Sequence, residues 1–98
     1  MTTALSFLSF KLPVTITKQG KRFVAYSPAL DISTSGKSKK DAQKRFEELV
    51  ALFLEEIVER GTLPDVLSEL GWRKAQKKWS PPRVVSSKHL GIRIPALA

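Results

Sequence analysis

Between Ser38 and Arg60, Ala42, Phe46, Leu49, Val50, Phe53, Leu54, Ile57 and Val58 recur at three- and four-residue steps. That period is helical and lays an apolar stripe along one side. Lys40, Lys44, Glu47, Glu48, Glu55 and Glu59 mostly fill the other side. Both ends carry boundary signals. Ser38 is placed to accept a hydrogen bond from a free first-turn N–H, and Asp41 stands three residues on, at the capping-box position. Gly61 closes the helix, because glycine enters the left-handed conformation after a helix end at little cost. At about 1.5 Å per residue the helix is roughly 33 Å long. A chain of this size has an expected radius of gyration of about 13 Å. The helix must therefore cross the whole domain, and something flat must cover its stripe.

The residues before it supply a sheet. Phe10, Leu12, Val14 and Ile16 alternate with Lys11, Pro13, Thr15 and Thr17, a half-buried strand. Pro13 cannot donate to a ladder, which makes this an edge strand or turns Pro13 outward. Gln19-Gly20-Lys21 is a turn, and Arg22 to Ser27 is a second strand that completes an antiparallel hairpin. Pro28 ends it. Leu30 and Ile32, alternating with Asp31 and Ser33, predict a short third strand. Three antiparallel strands followed by a helix give a sheet with one covered face, an α+β architecture.

After Gly61, Thr62-Leu63-Pro64-Asp65 predicts a second, short helix. Thr62 would be its N-cap, Pro64 would lie in the first turn, and Val66, Leu67 and Leu70 would form its apolar side. Gly71 stops it, and Trp72 is placed to fold back onto the core. Trp79-Ser80-Pro81-Pro82 reads as a rigid connector. Leu90, Ile92 and Ile94 alternate with Gly91 and Arg93, which predicts a fourth, C-terminal strand, for the order β-β-β-α-α-β. Such a strand needs an exposed edge, in its own sheet or in a second copy's. The whole chain reads as one domain, with its core in 10–72 and a basic tail in 73–98.

The formal net charge is +8, and its distribution is uneven. Residues 1–37 carry +4, residues 38–69 carry −3, and residues 70–98 carry seven Lys/Arg and no acid. A basic tail points to an anionic partner or an acidic surface; the alternative is that it serves solubility alone. The chain has no cysteine, so disulfides and thiolate metal sites are excluded. Met1 to Phe10 is apolar but lacks a basic n-region and a cleavage pattern, and no apolar run approaches the ~20 residues of a membrane span. The expectation is a cytoplasmic protein that does not enter membranes.

Catalytic patterns are missing. His89 is the single histidine, no serine has a nucleophile-elbow context, and Gly36 stands alone where a phosphate loop would need several glycines. The acids cluster on the long helix, and the strands supply only Asp31. Glu55 and Glu59 are one turn apart and could share a cation, but a solvated helix face explains them as well. No catalytic, cofactor-binding or metal-binding residue is assigned. The helix charges also run against its dipole: Lys39 and Lys40 are near its positive end, and Glu55, Glu56 and Glu59 near its negative end. Glu55, Glu56 and Glu59 are therefore candidate contacts for a basic partner, or for another copy's tail.

The hairpin, then Phe23-Val24-Ala25-Tyr26-Ser27-Pro28-Ala29-Leu30, then Gly36 and a helix opening Ser38-Lys39-Lys40-Asp41-Ala42, resembles the HicB-type antitoxin family over about residues 10 to 61. That family shows an aromatic-Val-Ala-x-x-Pro-x-Leu strand, a glycine turn and a helix opening with an acid-Ala pair. The segment Gly61 to Trp72 also looks like the continuation in some HicB-like chains. The resemblance implies a truncated ribonuclease-H-like fold without nuclease carboxylates. It also implies a small HicA-type toxin as partner, an mRNA interferase whose active site the antitoxin occludes. Two departures stand out. Residues 73–98 lack the two consecutive helices of the family's DNA-binding modules, and the basic balance is unusual for gripping a basic toxin.

Three readings follow. The first is a non-enzymatic HicB-like interaction module in a toxin-antitoxin system, forming a dimer or larger oligomer with possible strand exchange. The second is a nucleic-acid-binding protein in which Arg73, Lys74, Lys77, Lys78, Arg83, Lys88 and Arg93 contact phosphates and Trp72 or Trp79 stacks on a base. An orphan HicB-like protein without a toxin is a variant of the first, and the third is a cryptic nuclease, which the lack of strand carboxylates other than Asp31 disfavours.

Overall fold

The computed structural model describes residues 11–96 and is α+β. Three antiparallel strands, β1 (Thr15–Gln19), β2 (Arg22–Ser27) and β3 (Ile32–Gly36), form a sheet in the order β1-β2-β3. The long helix α1 (Lys39–Glu59) covers one face, and the short helix α2 (Leu63–Glu69) follows. A separate hairpin, β4 (Arg73–Ala75) and β5 (Lys78–Ser80), comes next. Residues 81–96 form an arm with no regular structure.

The sheet is built by the expected hairpin with a tighter turn. Gln19 pairs with Arg22, so the loop is only Gly20-Lys21. Gly20 takes φ +62°, the place a II′ turn reserves for glycine. The first strand begins later than its alternation suggests. In the β1–β2 register Thr15 meets Tyr26, so Pro13 falls opposite Pro28. Neither proline has an N–H, and the ladder stops there. Phe10, where the alternation begins, lies outside the described residues. The third strand also shifts. Residues 28–31 form a turn in which Asp31 takes φ +53°. Leu30 is thus a buried turn residue rather than a strand residue.

α1 begins and ends as its sequence signals require. The Asp41 N–H donates to Ser38 Oγ at 3.0 Å, and the Asp41 carboxylate accepts from the Lys37 N–H at 2.8 Å. At the other end Thr62 N–H reaches the Ile57 carbonyl and Gly61 N–H reaches that of Val58. With Gly61 at φ +69°, this is a Schellman cap. α2 closes the same way through Gly71 and Trp72, which bond the carbonyls of Ser68 and Leu67. Pro64 sits in the first turn of α2, but Thr62 makes no side-chain cap; its hydroxyl lies 3.5 Å from the Ile57 carbonyl instead.

The core joins Ala25, Ala29, Leu30, Ala42, Phe46, Val50, Leu67 and Trp72. Trp72 is 3% exposed, and its indole Nε1 donates to the Ala29 carbonyl at 2.7 Å. That bond ties the end of α2 to the β2–β3 turn, 43 residues earlier. Ser27 is fully buried, and its hydroxyl makes no protein hydrogen bond. A buried orphan hydroxyl is a liability, so Ser27→Ala is expected to raise stability by about 1 kcal/mol in urea unfolding. A loss of stability would show that the hydroxyl is satisfied in solution.

The end of the chain differs from expectation in its details. Leu90 to Ile94 is not a strand, and the late strands are β4 and β5. Their two-residue turn places Gln76 and Lys77 at φ +50° and +65°. A turn with two positive φ values normally signals itself by Asn-Gly or Asp-Gly, and this one does not.

Candidate interaction surfaces

The expected stripe on α1 is wider than the sheet that covers it. Ala42, Phe46, Val50 and Ile57 are buried, and Phe53 and Leu54 are half-buried, but Leu49 and Val58 are exposed. Nine residues separate Leu49 from Val58, which at about 100° per residue sets them about 180° apart on the helix wheel. One face cannot cover both. α1 packs mainly on β3 and β2, leaving both flanks of the stripe open.

On the Leu49 flank lies Leu52, 64% exposed. Glu55, Glu56 and Glu59 follow it at three, four and seven residues, so they share its side of the helix. All three glutamates are exposed. Glu56 pairs with Arg60 at 2.9 Å, but both side chains are largely exposed and the pair contributes little stability. The result is a small apolar centre with an acidic rim at the C-terminal end of α1. The three acids were legible in the sequence; Leu52 was not, although its falling outside the apolar period was the available signal.

On the Val58 flank a groove of about 540 Å³ runs between α1 and β1. Leu12, Val14 and Ile16 line one wall, Phe46, Val50 and Leu54 the other, and Glu47 borders it. β1 is the sheet's edge, and its far side pairs with no strand among the described residues.

The cations of the tail fall into two sets. Arg73, Lys74, Lys77 and Lys78 are gathered, exposed, on the β4–β5 hairpin. Arg83, Lys88 and Arg93 are strung along the arm. Lys74 Nζ lies 5.8 Å from the centroid of the Trp79 ring, across the strand pair. Trp79 keeps part of its surface accessible, whereas burial of Trp72 removes it from any base-stacking role.

The perturbed titrating groups serve local structure. The Lys37 backbone N–H holds the Asp41 carboxyl below its ordinary value, against a smaller opposing effect of burial, and Arg45 assists. Desolvation raises the Tyr26 phenol, aided by its hydrogen bond to Asp31 at 3.2 Å. Among the described residues no three His, Asp or Glu side chains gather where they could hold a metal ion, and no helix is long and apolar enough to cross a membrane.

No family model matches the chain, and no curated protein or solved structure is detectably similar to it.

Proposed function

We propose that the chain is a non-enzymatic, cytoplasmic interaction module of the HicB-like antitoxin kind, which binds a small basic RNA-cleaving toxin and occludes its active site. The observation that carries this reading is the exposed strip of Leu49 and Leu52 with Glu55, Glu56 and Glu59 at the end of α1. It is the acidic surface of an otherwise basic molecule, and acids at a helix C-terminus oppose the dipole. An interface of this composition resolves both oddities. Its apolar centre would supply affinity, and its acidic rim would speed and orient the approach of a cationic protein. The strand motif and glycine turn that resemble HicB form β2, the β2–β3 turn and the start of α1, and they hold this helix on the sheet.

The test is charge reversal. In a variant carrying Glu55→Lys, Glu56→Lys and Glu59→Lys, the affinity for the toxin should fall at least ~100-fold, with unchanged far-UV circular dichroism. Leu52→Gln should weaken binding while leaving the net charge of the strip unchanged. Undiminished toxin binding in both variants would remove the strip as the contact.

A second reading rests on the β4–β5 hairpin, whose four exposed cations lie beside a partly accessible indole. It would bind nucleic acid through phosphates, with affinity falling steeply as salt rises. Salt-independent binding would argue against it.

A further inference from the structure

The arm of residues 81–96 has the side-chain pattern of a strand, and among the described residues it pairs with none. Leu90, Ile92 and Ile94 alternate with Gly91 and Arg93, and the three apolar residues are 69–84% exposed. Val84 and Val85 are exposed beside them. A single-copy protein rarely leaves so many apolar side chains of one short segment in water. The molecule extends over 69 Å, with a radius of gyration of 17.2 Å against the ~13 Å expected for a compact chain of this length. The matching vacancy is the β1 edge. Among the described residues nothing pairs with its outer side, and edges of this kind readily accept an added strand. Beside it runs the groove formed by Val14, Ile16, Phe46, Val50 and Leu54.

Three observations make a second copy the occupant. The first is period: Val14 and Ile16 face the groove two residues apart, and Leu90, Ile92 and Ile94 have the same spacing, so an added strand would bury all three on that side. The second is charge: the arm carries Arg83, Lys88 and Arg93 and no acid, and Glu47 borders the groove. The third is chain path. Pro81-Pro82 favours an extended chain, Pro82 packs near Gly71, and residues 83–96 after it are all exposed. From Arg83 to Leu90 there is no glycine, proline, asparagine or aspartate, and only the weaker turn formers Ser86-Ser87 stand there to reverse it onto its own β1. An arm that leaves straight meets a neighbour, and two identical arms meeting two identical edges close a two-fold dimer.

We propose that segment 90–94 of each copy adds as a strand to the β1 edge of a second copy, seating Leu90, Ile92 and Ile94 in the groove beside α1. This exchange is independent of the toxin reading, because it concerns the purified chain alone and uses the opposite flank of α1. The test compares three full-length proteins by native mass spectrometry and light scattering. The wild type should have twice the chain mass. Ile92→Asp on the arm and Ile16→Asp in the groove should each raise the dimer dissociation constant at least ~100-fold. Mixing the two variants should restore a heterodimer, since one copy keeps a sound groove and the other a sound arm. Far-UV circular dichroism and urea unfolding check the fold of each variant. A monomeric wild type, a dimer indifferent to Ile92→Asp, or variants that stay monomeric when mixed would each overturn the exchange.

Discussion

Trp72→Ala is expected to remove about 4 kcal/mol of folding stability, from the lost packing of a buried indole alone. A further loss arises at Ala29, whose carbonyl accepts the indole N–H at 2.7 Å in the interior. Leaving that acceptor without its donor adds about 1–3 kcal/mol. Whole domains are stable by only about 5–15 kcal/mol, so the variant should be largely unfolded in modest urea. Trp72→Phe separates the two effects. It keeps most of the apolar volume and lacks the donor, so it should lose about 2 kcal/mol. Equilibrium urea unfolding followed by circular dichroism reads both. If Trp72→Ala cost less than about 1 kcal/mol, the C-terminal end of α2 would not be docked on the β2–β3 turn.

Gly36→Ala should be nearly as damaging, for a steric reason. Gly36 ends β3 on the face that α1 covers, and the helix backbone passes directly over it. A Cβ there would lie 2.8 Å from both the Ala42 Cα and the Asp41 carbonyl carbon. Backbone atoms cannot rotate away as a side chain would, so the first turn of α1 must lift from the sheet. The expected loss is about 2–3 kcal/mol. Loss of the Ser38–Asp41 cap would accompany it, because the cap sits at the point of collision. Hydrogen exchange should show earlier opening of residues 39–46 than in the wild type. Unchanged exchange there, with unchanged stability, would mean that the helix crosses β3 at a greater distance.

The two sites explain what the sequence did and did not disclose. The ends of α1 were legible because Ser38, Asp41 and Gly61 act locally, and each does in the structure what its chemistry favours. Trp72 was legible as a core residue because a glycine cap turns the chain back at Gly71. The α+β class, with three antiparallel strands under one long helix, followed from two clear periodicities. Strand limits were less legible, since they depend on pairing. The ladder stops where Pro13 meets Pro28, a coincidence that appears only once the register is known. The β4–β5 hairpin was hidden because its turn is Gln76-Lys77, residues that carry no turn signal. The alternation of Leu90, Ile92 and Ile94 describes a chain suited to one buried face, but it does not supply an edge, and among the described residues no strand pairs with it.

The candidate surfaces were half visible. Glu55, Glu56 and Glu59 stood out because they oppose the helix dipole. The two apolar flanks of α1 did not, because the width of the covering sheet decides which part of a stripe is buried. A three-stranded sheet leaves Leu49 and Leu52 on one side and Val58 on the other. One helix thus presents an acidic flank and, on the other side, an apolar flank beside a strand edge that no described strand pairs with.

The most direct measurement is native mass spectrometry of the tagged chain purified from its own host at moderate salt, beside the Glu55→Lys, Glu56→Lys, Glu59→Lys variant. The expected result is a stoichiometric, small, basic companion on the wild type alone, one that cleaves RNA once it is separated and is silent while bound. A wild-type chain that carries no such companion, or a companion equally bound by the charge-reversed variant, would contradict the antitoxin reading and its contact surface.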